Sequence, residues 1–214
     1  MKARTAATNT LRALVVTAPE SLRAQLPGSG LPKALVKACV RLRPDTSRLA
    51  DPLQATKVAL RSVAARARAL YDEIVELDNR LTELVEATAP ATSAVFAMGI
   101  DTTSALLVAI GDNPDRLRSE AAFSRMCGVA PIPASSGKTN RHRLHRGGNR
   151  SANRALHLAA VVRMRYCERT RAYVARRTAE GLSKPEIIRC LKRFLAREIF
   201  RALRTDYLAL TAAI

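Results

Sequence analysis

The residues best suited to chemistry are the serines and cations of one loop in the second half of the chain. Ser135 and Ser136 stand directly before Gly137 in a flexible polar turn. The basic residues that follow are Lys138, Arg141, Arg143, Arg146, Arg150 and Arg154. A serine hydroxyl can attack phosphorus, and Lys and Arg can stabilise the charge on a phosphate in its transition state. The loop therefore indicates phosphoryl transfer on a nucleic acid, although a serine in a glycine turn is by itself usually only a turn residue.

The charge around this loop is one-sided. Between Glu120 and Glu168 the sequence has no Asp or Glu and nine Lys or Arg residues. Pro131 and Pro133 predict extended backbone at the entry, and residues 147–149 (GGN) form a second turn that leads into a helix. Such a segment cannot neutralise itself, which favours an anionic partner. The alternative, an ordinary solvated surface loop, would be expected to carry charges of both signs.

The whole chain is also strongly basic. Its 214 residues carry a formal net charge of +18, with an isoelectric point near 11.1. Nucleic acid is the usual partner of such a protein, and a membrane surface is the rival interpretation. No apolar run approaches the roughly 18 residues of a transmembrane helix, and the start lacks a signal-peptide cleavage pattern. We therefore expect a soluble, cytoplasmic protein with no membrane partner.

Neither the histidines nor the cysteines predict a metal site. His142 and His145 lie among arginines, whose field opposes a metal cation. The cysteines are far apart and form no C-x-x-C pair, so they are expected to be reduced core thiols: Cys39, Cys127, Cys167 and Cys190.

Few aromatic residues and many Ala, Leu and Val predict an all-α fold with closely packed helices. Helices are expected at 5–16, about 53–86, 119–127, 151–179 and 184–204, with a capping box at Ser183 and Glu186. The predicted organisation is a basic helical connector (1–52), a coiled-coil helix (53–90) and a C-terminal helical domain (91–214). A basic Ser-Gly loop lies in that last domain.

The predicted coiled-coil helix carries a continuous apolar seam. Its members alternate at spacings of three and four residues: Leu60, Val63, Ala67, Leu70, Ile74, Leu77, Leu81 and Leu84. This is a heptad pattern that seeks a partner helix. The partner could be a second copy of the chain or the core of the helix's own domain, and the spacing does not separate the two.

Residues 94–111 predict a helix-hairpin-helix-like unit. A short apolar helix, a turn at Gly99, a cap from Asp101 or Thr102 and a second apolar helix follow one another. Such hairpins can bind phosphate through backbone N–H groups, but Asp101 would repel an anion and Ala97 replaces the usual first glycine. A structural role and a DNA-binding role remain equally open.

Over residues 92–205 the chain closely resembles the C-terminal domain of the insertion-sequence transposases of the 110/116/902 family. The resemblance lies in the segment CGVAPIPASSGKTNRHRLHRGGNRSANRALH, in GDNPDRLRSEAAF before it, and in RTRAYVARRTAEG and IIRCLKRFLAREIF after it. Residues 1–90 resemble the connecting helices and coiled coil of the same family.

The resemblance implies a DNA transposase with a serine nucleophile, guided by an RNA that the element encodes. The family's serine precedes the glycine of the SG turn, which places it at Ser136, with Ser135 at a more variable position. Phosphate contact is implied for the basic positions after it. The family's Mg²⁺ is bound by an acid-rich RNase-H-like domain that nothing in this sequence resembles, so no cofactor is expected in this chain. We expect a truncated copy that is inactive alone.

Three interpretations remain open from the sequence. The first is a DNA recombinase that uses Ser136 covalently, and the second is a non-catalytic nucleic-acid-binding protein with the same basic surface. A tyrosine recombinase with Tyr166 or Tyr173 as nucleophile is the third, and it is weak because both tyrosines are predicted inside a regular helix. The expected partners are DNA, a guide RNA by resemblance, and a second copy of the chain through the coiled coil.

Overall fold

The computed structural model describes residues 1–28, 32–111, 118–138 and 142–212. As predicted, the chain is all-α. The helices are α1 (Lys2–Val16), α2 (Glu20–Arg23), α3 (Pro32–Val40), α4 (Pro52–Thr88), α5 (Pro90–Ser93), α6 (Ile100–Ile110), α7 (Glu120–Met126), α8 (Arg150–Tyr166), α9 (Glu168–Ala179) and α10 (Lys184–Ala212). A 3-10 turn spans Thr46–Arg48, and two short strands, β1 (Ile132–Pro133) and β2 (His142–Arg143), pair antiparallel. The chain forms two compact units, Met1–Arg80 and Leu81–Ile214.

The first unit packs α1, α2 and α3 against the first part of α4. Leu11, Leu22 and Cys39 are buried together with Leu60 and Ala67 of α4. These α4 positions belong to the apolar seam, so the seam's first part covers its own domain's core.

The second part of the seam is uncovered. Leu60 is fully buried, whereas Leu77 is 53% exposed and Leu84 is 62% exposed. The beginning of the seam therefore packs within the chain, whereas Leu77 and Leu84 near its end present apolar side chains to solvent. Pairing with a second copy stays a prediction.

The second unit is built around α8, which lies between α6 and α10. Its buried face consists of small residues and one leucine: Ala152, Ala155, Leu156, Ala159 and Ala160. Small side chains allow close approach of neighbouring helices. Leu106 of α6, Phe123 of α7 and Ile199 of α10 complete the core.

The predicted helix 151–179 is two helices, and that prediction was wrong. Cys167 has extended backbone (φ −99°, ψ 115°) and separates α8 from α9. The change of direction lets Tyr173 of α9 contact Phe194 of α10 edge to face at 5.7 Å between ring centroids. Tyr166 is therefore the last residue of α8 and is 64% exposed, while Tyr173 lies within a helix as expected.

The unit at 94–111 also differs from its predicted form. The helix before the turn is the single turn α5, which ends at Ser93 and does not begin at Ala94. Gly99 is the N-cap residue of α6, and no side chain caps that helix, so the expected cap from Asp101 or Thr102 was wrong. Thr102 instead donates its hydroxyl to the Gly99 carbonyl. A DNA-binding role for this unit remains untested.

Candidate nucleic-acid interface

The basic loop is fixed at its base, where the end of α7 meets the start of α8. The Asn149 amide donates to the Met126 carbonyl at 2.6 Å. The Asn149 side chain caps α8 by accepting from the amides of Ser151 (2.9 Å) and Ala152 (3.1 Å). The two ends of the loop are thereby held together as it leaves α7 and enters α8.

The side chain of Asn153 also holds the base of the loop through hydrogen bonds. Its Nδ2 donates to the carbonyl oxygens of Cys127 (2.8 Å) and Gly128 (3.2 Å). Its Oδ1 accepts a hydrogen bond from Nζ of Lys192 at 3.0 Å. Because the two carbonyls can only accept, the amide orientation follows from the contacts, and Oδ1 must face the lysine.

Ser136 lies on the far part of this loop. It is exposed, and it precedes Gly137, whose φ of +55° is a left-handed conformation that favours glycine. Between the base and this turn, β1 and β2 pair Ile132 with Arg143 and Pro133 with His142. The serine is thus presented to solvent by a short paired stem.

The predicted phosphate-binding cations are exposed where the structure describes them. These are Lys138, Arg143, Arg146, Arg150 and Arg154, while Arg141 lies outside the described residues. None of the ion pairs in the described part of the chain involves any of the five. They are available to an anionic partner.

Two cavities gather some of these cations. One, of about 570 Å³, is lined by Arg146, Arg150 and Arg154. The other, of about 740 Å³, is lined by Arg143 together with Arg189 and Arg193 of α10. Ser136 and Lys138 line neither cavity. The structure therefore gathers part of the predicted set around these two cavities, and the serine turn is not part of their lining.

Other arginines in and near the acid-free stretch hold the fold together. Arg163 forms a bidentate pair with Glu198 (2.7 and 2.9 Å) and donates to the Phe96 carbonyl at 3.0 Å. Arg193 and Arg197 contact Glu120 at 2.7 and 3.0 Å. Burial alone would raise the pKa of Glu120, but hydrogen bonds and charge from these two arginines lower it. These three arginines are therefore already engaged in ion pairs within the protein.

Sequence comparisons give the chain its family. Residues 92–175 match the model of the Transposase IS116/IS110/IS902 family. The chain belongs to this transposase family. It is 30% identical over 151 residues to an uncharacterized 43.6 kDa protein of insertion element IS110 from Streptomyces coelicolor. That alignment covers 69% of this chain and 37% of the relative, so the chain spans well under half of the relative's length.

The Mg²⁺ that the transposase resemblance implies does not fit the side chains described here. Among these residues no three His, Cys, Asp or Glu side chains come together in a way that could hold a metal ion. His142 is exposed, and Nδ1 of His145 is buried without a hydrogen-bond partner. All four cysteines are free, and burial raises the pKa of the Cys127 thiol to about 12. In the same residues, no helix is both long and apolar enough to cross a membrane.

Sequence reasoning missed the α10 side of this basic surface. Arg189 and Lys192 line the cavities beside the predicted loop cations, and Asn153 of α8 joins them. The signal that could have found them is the spacing of Arg189, Lys192 and Arg193, which places three cations on neighbouring positions of one helix. The apolar face of α10 was predicted, whereas its basic face was not.

Proposed function

We propose that this chain binds the DNA of an insertion sequence and supplies the serine nucleophile for strand transfer. Transposase family membership supports an interaction with DNA. The observation that carries the proposal is the set of exposed cations without acidic partners around a loop whose base is tightly fixed. A fixed base lets the loop hold its charges in place when a phosphate backbone approaches.

The chemical step assigned to Ser136 is a phosphoryl transfer. Its Oγ attacks a backbone phosphorus, forming a Ser–O–P bond as the bond from phosphorus to one deoxyribose oxygen breaks. The hydroxyl proton passes to solvent, and the leaving deoxyribose oxygen takes up a proton. Cationic side chains stabilise the charge that develops on the phosphate. A serine hydroxyl is a weak nucleophile without such assistance.

The test reconstitutes the reaction with the acid-rich RNase-H-like domain of a relative, a guide RNA and Mg²⁺. We expect a covalent protein–DNA adduct that maps to Ser136 by mass spectrometry. Ser136→Ala should abolish the adduct and leave DNA affinity nearly unchanged. The matched control is Ser135→Ala, which removes the adjacent hydroxyl and should have a mild effect.

Other outcomes discriminate between the alternatives. An adduct lost in Ser135→Ala but kept in Ser136→Ala would move the nucleophile by one residue. An adduct on Tyr166 or Tyr173 would replace the serine mechanism with a tyrosine one. DNA binding without any adduct under the reconstituted conditions would favour the non-catalytic binding protein.

A guide RNA and a second copy of the chain are the further partners in this proposal. The same basic loop could contact either nucleic acid, because both present phosphates. The exposed end of the α4 seam is the surface proposed for self-association. The proposal of these two partners rests on the family resemblance and on exposed groups in the described residues.

A further inference from the structure

Among the described residues, Lys192 is the one lysine or arginine that lines both cavities beside the basic loop. It lies on α10, is half-buried, and has no carboxylate partner among the ion pairs of the described residues. An ammonium group has three donors, and the Asn153 side chain accepts from one of them. In the described part of the chain, the other two donors have no hydrogen-bond acceptor from the protein.

The position of Lys192 is fixed by the base of the loop. Asn153 contacts the lysine through Oδ1 and the Cys127 and Gly128 carbonyls through Nδ2. The side-chain amide of Asn153 therefore links the base of the loop directly to the lysine. This chain of hydrogen bonds joins α7, α8 and α10 at the point where the loop begins.

The charge of this site is unbalanced. The smaller cavity is lined by Arg146, Arg150 and Arg154 and by no acidic residue among the side chains described. The larger one contains a single carboxylate, Glu186, which accepts hydrogen bonds from the Ser183 amide (2.9 Å) and hydroxyl (2.6 Å). Glu186 also lies 3.7 Å from Arg189. Its charge is thus engaged at the start of α10.

Burial, the larger cause, and the neighbouring Arg189 both lower the pKa of the Lys192 amine. The protonated form is therefore less stable here than in water, because it has lost part of its hydration and faces a like charge. A bound anion would relieve both effects. Half-buried cations without acidic partners are otherwise unfavourable in a folded protein.

We propose that Lys192 binds a backbone phosphate of DNA at the junction of the two cavities, with Asn153 as its positioning residue. This inference rests on the proposed DNA-binding function and adds α10 to the surface that performs it. The two free donors of the ammonium group contact the phosphate oxygens. The exposed cations of the loop and of α8 contact neighbouring phosphates of the same backbone.

The test compares Lys192→Met with Lys184→Met in the full chain, using a fluorescently labelled DNA duplex and fluorescence anisotropy over a salt series. Both substitutions remove one lysine charge from α10, but Lys184 is exposed at the start of the helix and lines neither cavity. Lys192→Met should weaken DNA binding about tenfold or more at low salt. It should also reduce the slope of log affinity against log salt by about 0.9, the value for one lost duplex phosphate contact. Lys184→Met should change each quantity by less than half as much.

Lys192→Arg keeps the positive charge and should retain most of the wild-type slope of log affinity against log salt. A thermal melting curve for each variant checks that the fold is intact. A half-buried, unpaired charge does not stabilise the fold, so Lys192→Met should melt at or above the wild-type temperature. If Lys192→Met does not fold, Lys192→Gln retains a hydrogen bond to Asn153 without the charge and is read in the same way.

Four results separate the possible failures. Equal slopes for wild type and Lys192→Met, with strong salt dependence in both, would overturn the Lys192 site and leave the proposed DNA binding intact. Wild-type binding without salt dependence would overturn the proposed function itself. A Lys192 effect seen with an RNA duplex but not with a DNA duplex of the same length would overturn the assignment to DNA. Lys192→Met could also abolish the binding of inorganic phosphate without changing the affinity for DNA. Lys192 would then bind free phosphate only, and its assignment to a DNA phosphate would be overturned as well.

Discussion

Gly148 lies directly against Gly128, so the two ends of the basic loop touch at its base. A Cβ built on Gly148 would lie 2.2 Å from the backbone nitrogen of Gly128 and 2.3 Å from its Cα. Gly128 itself has a φ of +65°, which favours glycine. The loop leaves α7 and enters α8 through a contact that has no room for a side chain.

Gly148→Ala should therefore loosen the base of the loop. The added methyl group meets backbone atoms that cannot rotate away, and we expect a cost of about 1–3 kcal/mol or more in the free energy of unfolding. Chemical denaturation measures it. Gly147→Ala is the matched control, because its Cβ would meet nothing closer than 3.6 Å. Equal stability of the two variants would contradict the close contact.

Asp206 holds the turn of α5 from the far end of the chain. Its buried carboxylate accepts from the amides of Ala91 and Thr92 (both 2.8 Å) and from the Thr92 hydroxyl (2.6 Å). Asp206→Ala leaves these donors unsatisfied and should cost about 1–3 kcal/mol. Thr205→Ala, at an exposed neighbouring position, should have little effect on thermal melting. If Asp206→Ala melted at the wild-type temperature, the hydrogen bonds of Asp206 would not contribute to the stability of the fold.

Arg150 and Arg163 should behave differently although both lie in the acid-free stretch. Arg150 is exposed and outside every ion pair of the described residues, whereas Arg163 is paired with Glu198. Arg150→Gln should lower the slope of log affinity against log salt by about 0.9 without changing stability. Arg163→Gln should lower the melting temperature and leave the slope unchanged. Titration of a labelled DNA duplex over a salt series, with a melting curve for each variant, measures both quantities.

The result that would contradict this prediction is the reverse pattern for the two arginines. A slope that fell only in Arg163→Gln would mean that the Glu198 pair opens when DNA binds. In that case the contacts of the free protein would not describe its DNA-bound surface.

The two parts of the α4 seam should respond differently to the same substitution. Leu60→Lys places a charge in the core of the first unit and should unfold it, since full burial of a leucine side chain contributes about 1.5–3 kcal/mol before the cost of the buried charge. Leu77→Lys combined with Leu84→Lys changes exposed positions and should leave the melting curve nearly unchanged. Sedimentation equilibrium should show that this double variant loses self-association. A wild-type protein that is monomeric at every concentration tested would exclude seam pairing between copies.

Much of the fold was predictable because it depends on residues close together in the chain. Pro90 ends the long helix near its predicted position, Asn149 starts α8, and Ser183 with Glu186 forms the expected cap of α10. Each of these features needs only one turn of backbone and its nearest side chains. The exposed cations of the loop were predictable for the same reason, since no acid lies nearby in the sequence.

The sequence by itself determined the helical class, the heptad spacing and the excess of positive charge around Ser136. The tertiary structure alone decided which cations remain unpaired, because Glu198 reaches Arg163 and Asn153 reaches Lys192 across 35 and 39 positions of sequence. It also decided the break at Cys167 and the burial of only the first part of the α4 seam. Local spacing specifies which face of a helix is apolar or charged, but the element that covers that face comes from a distant part of the chain.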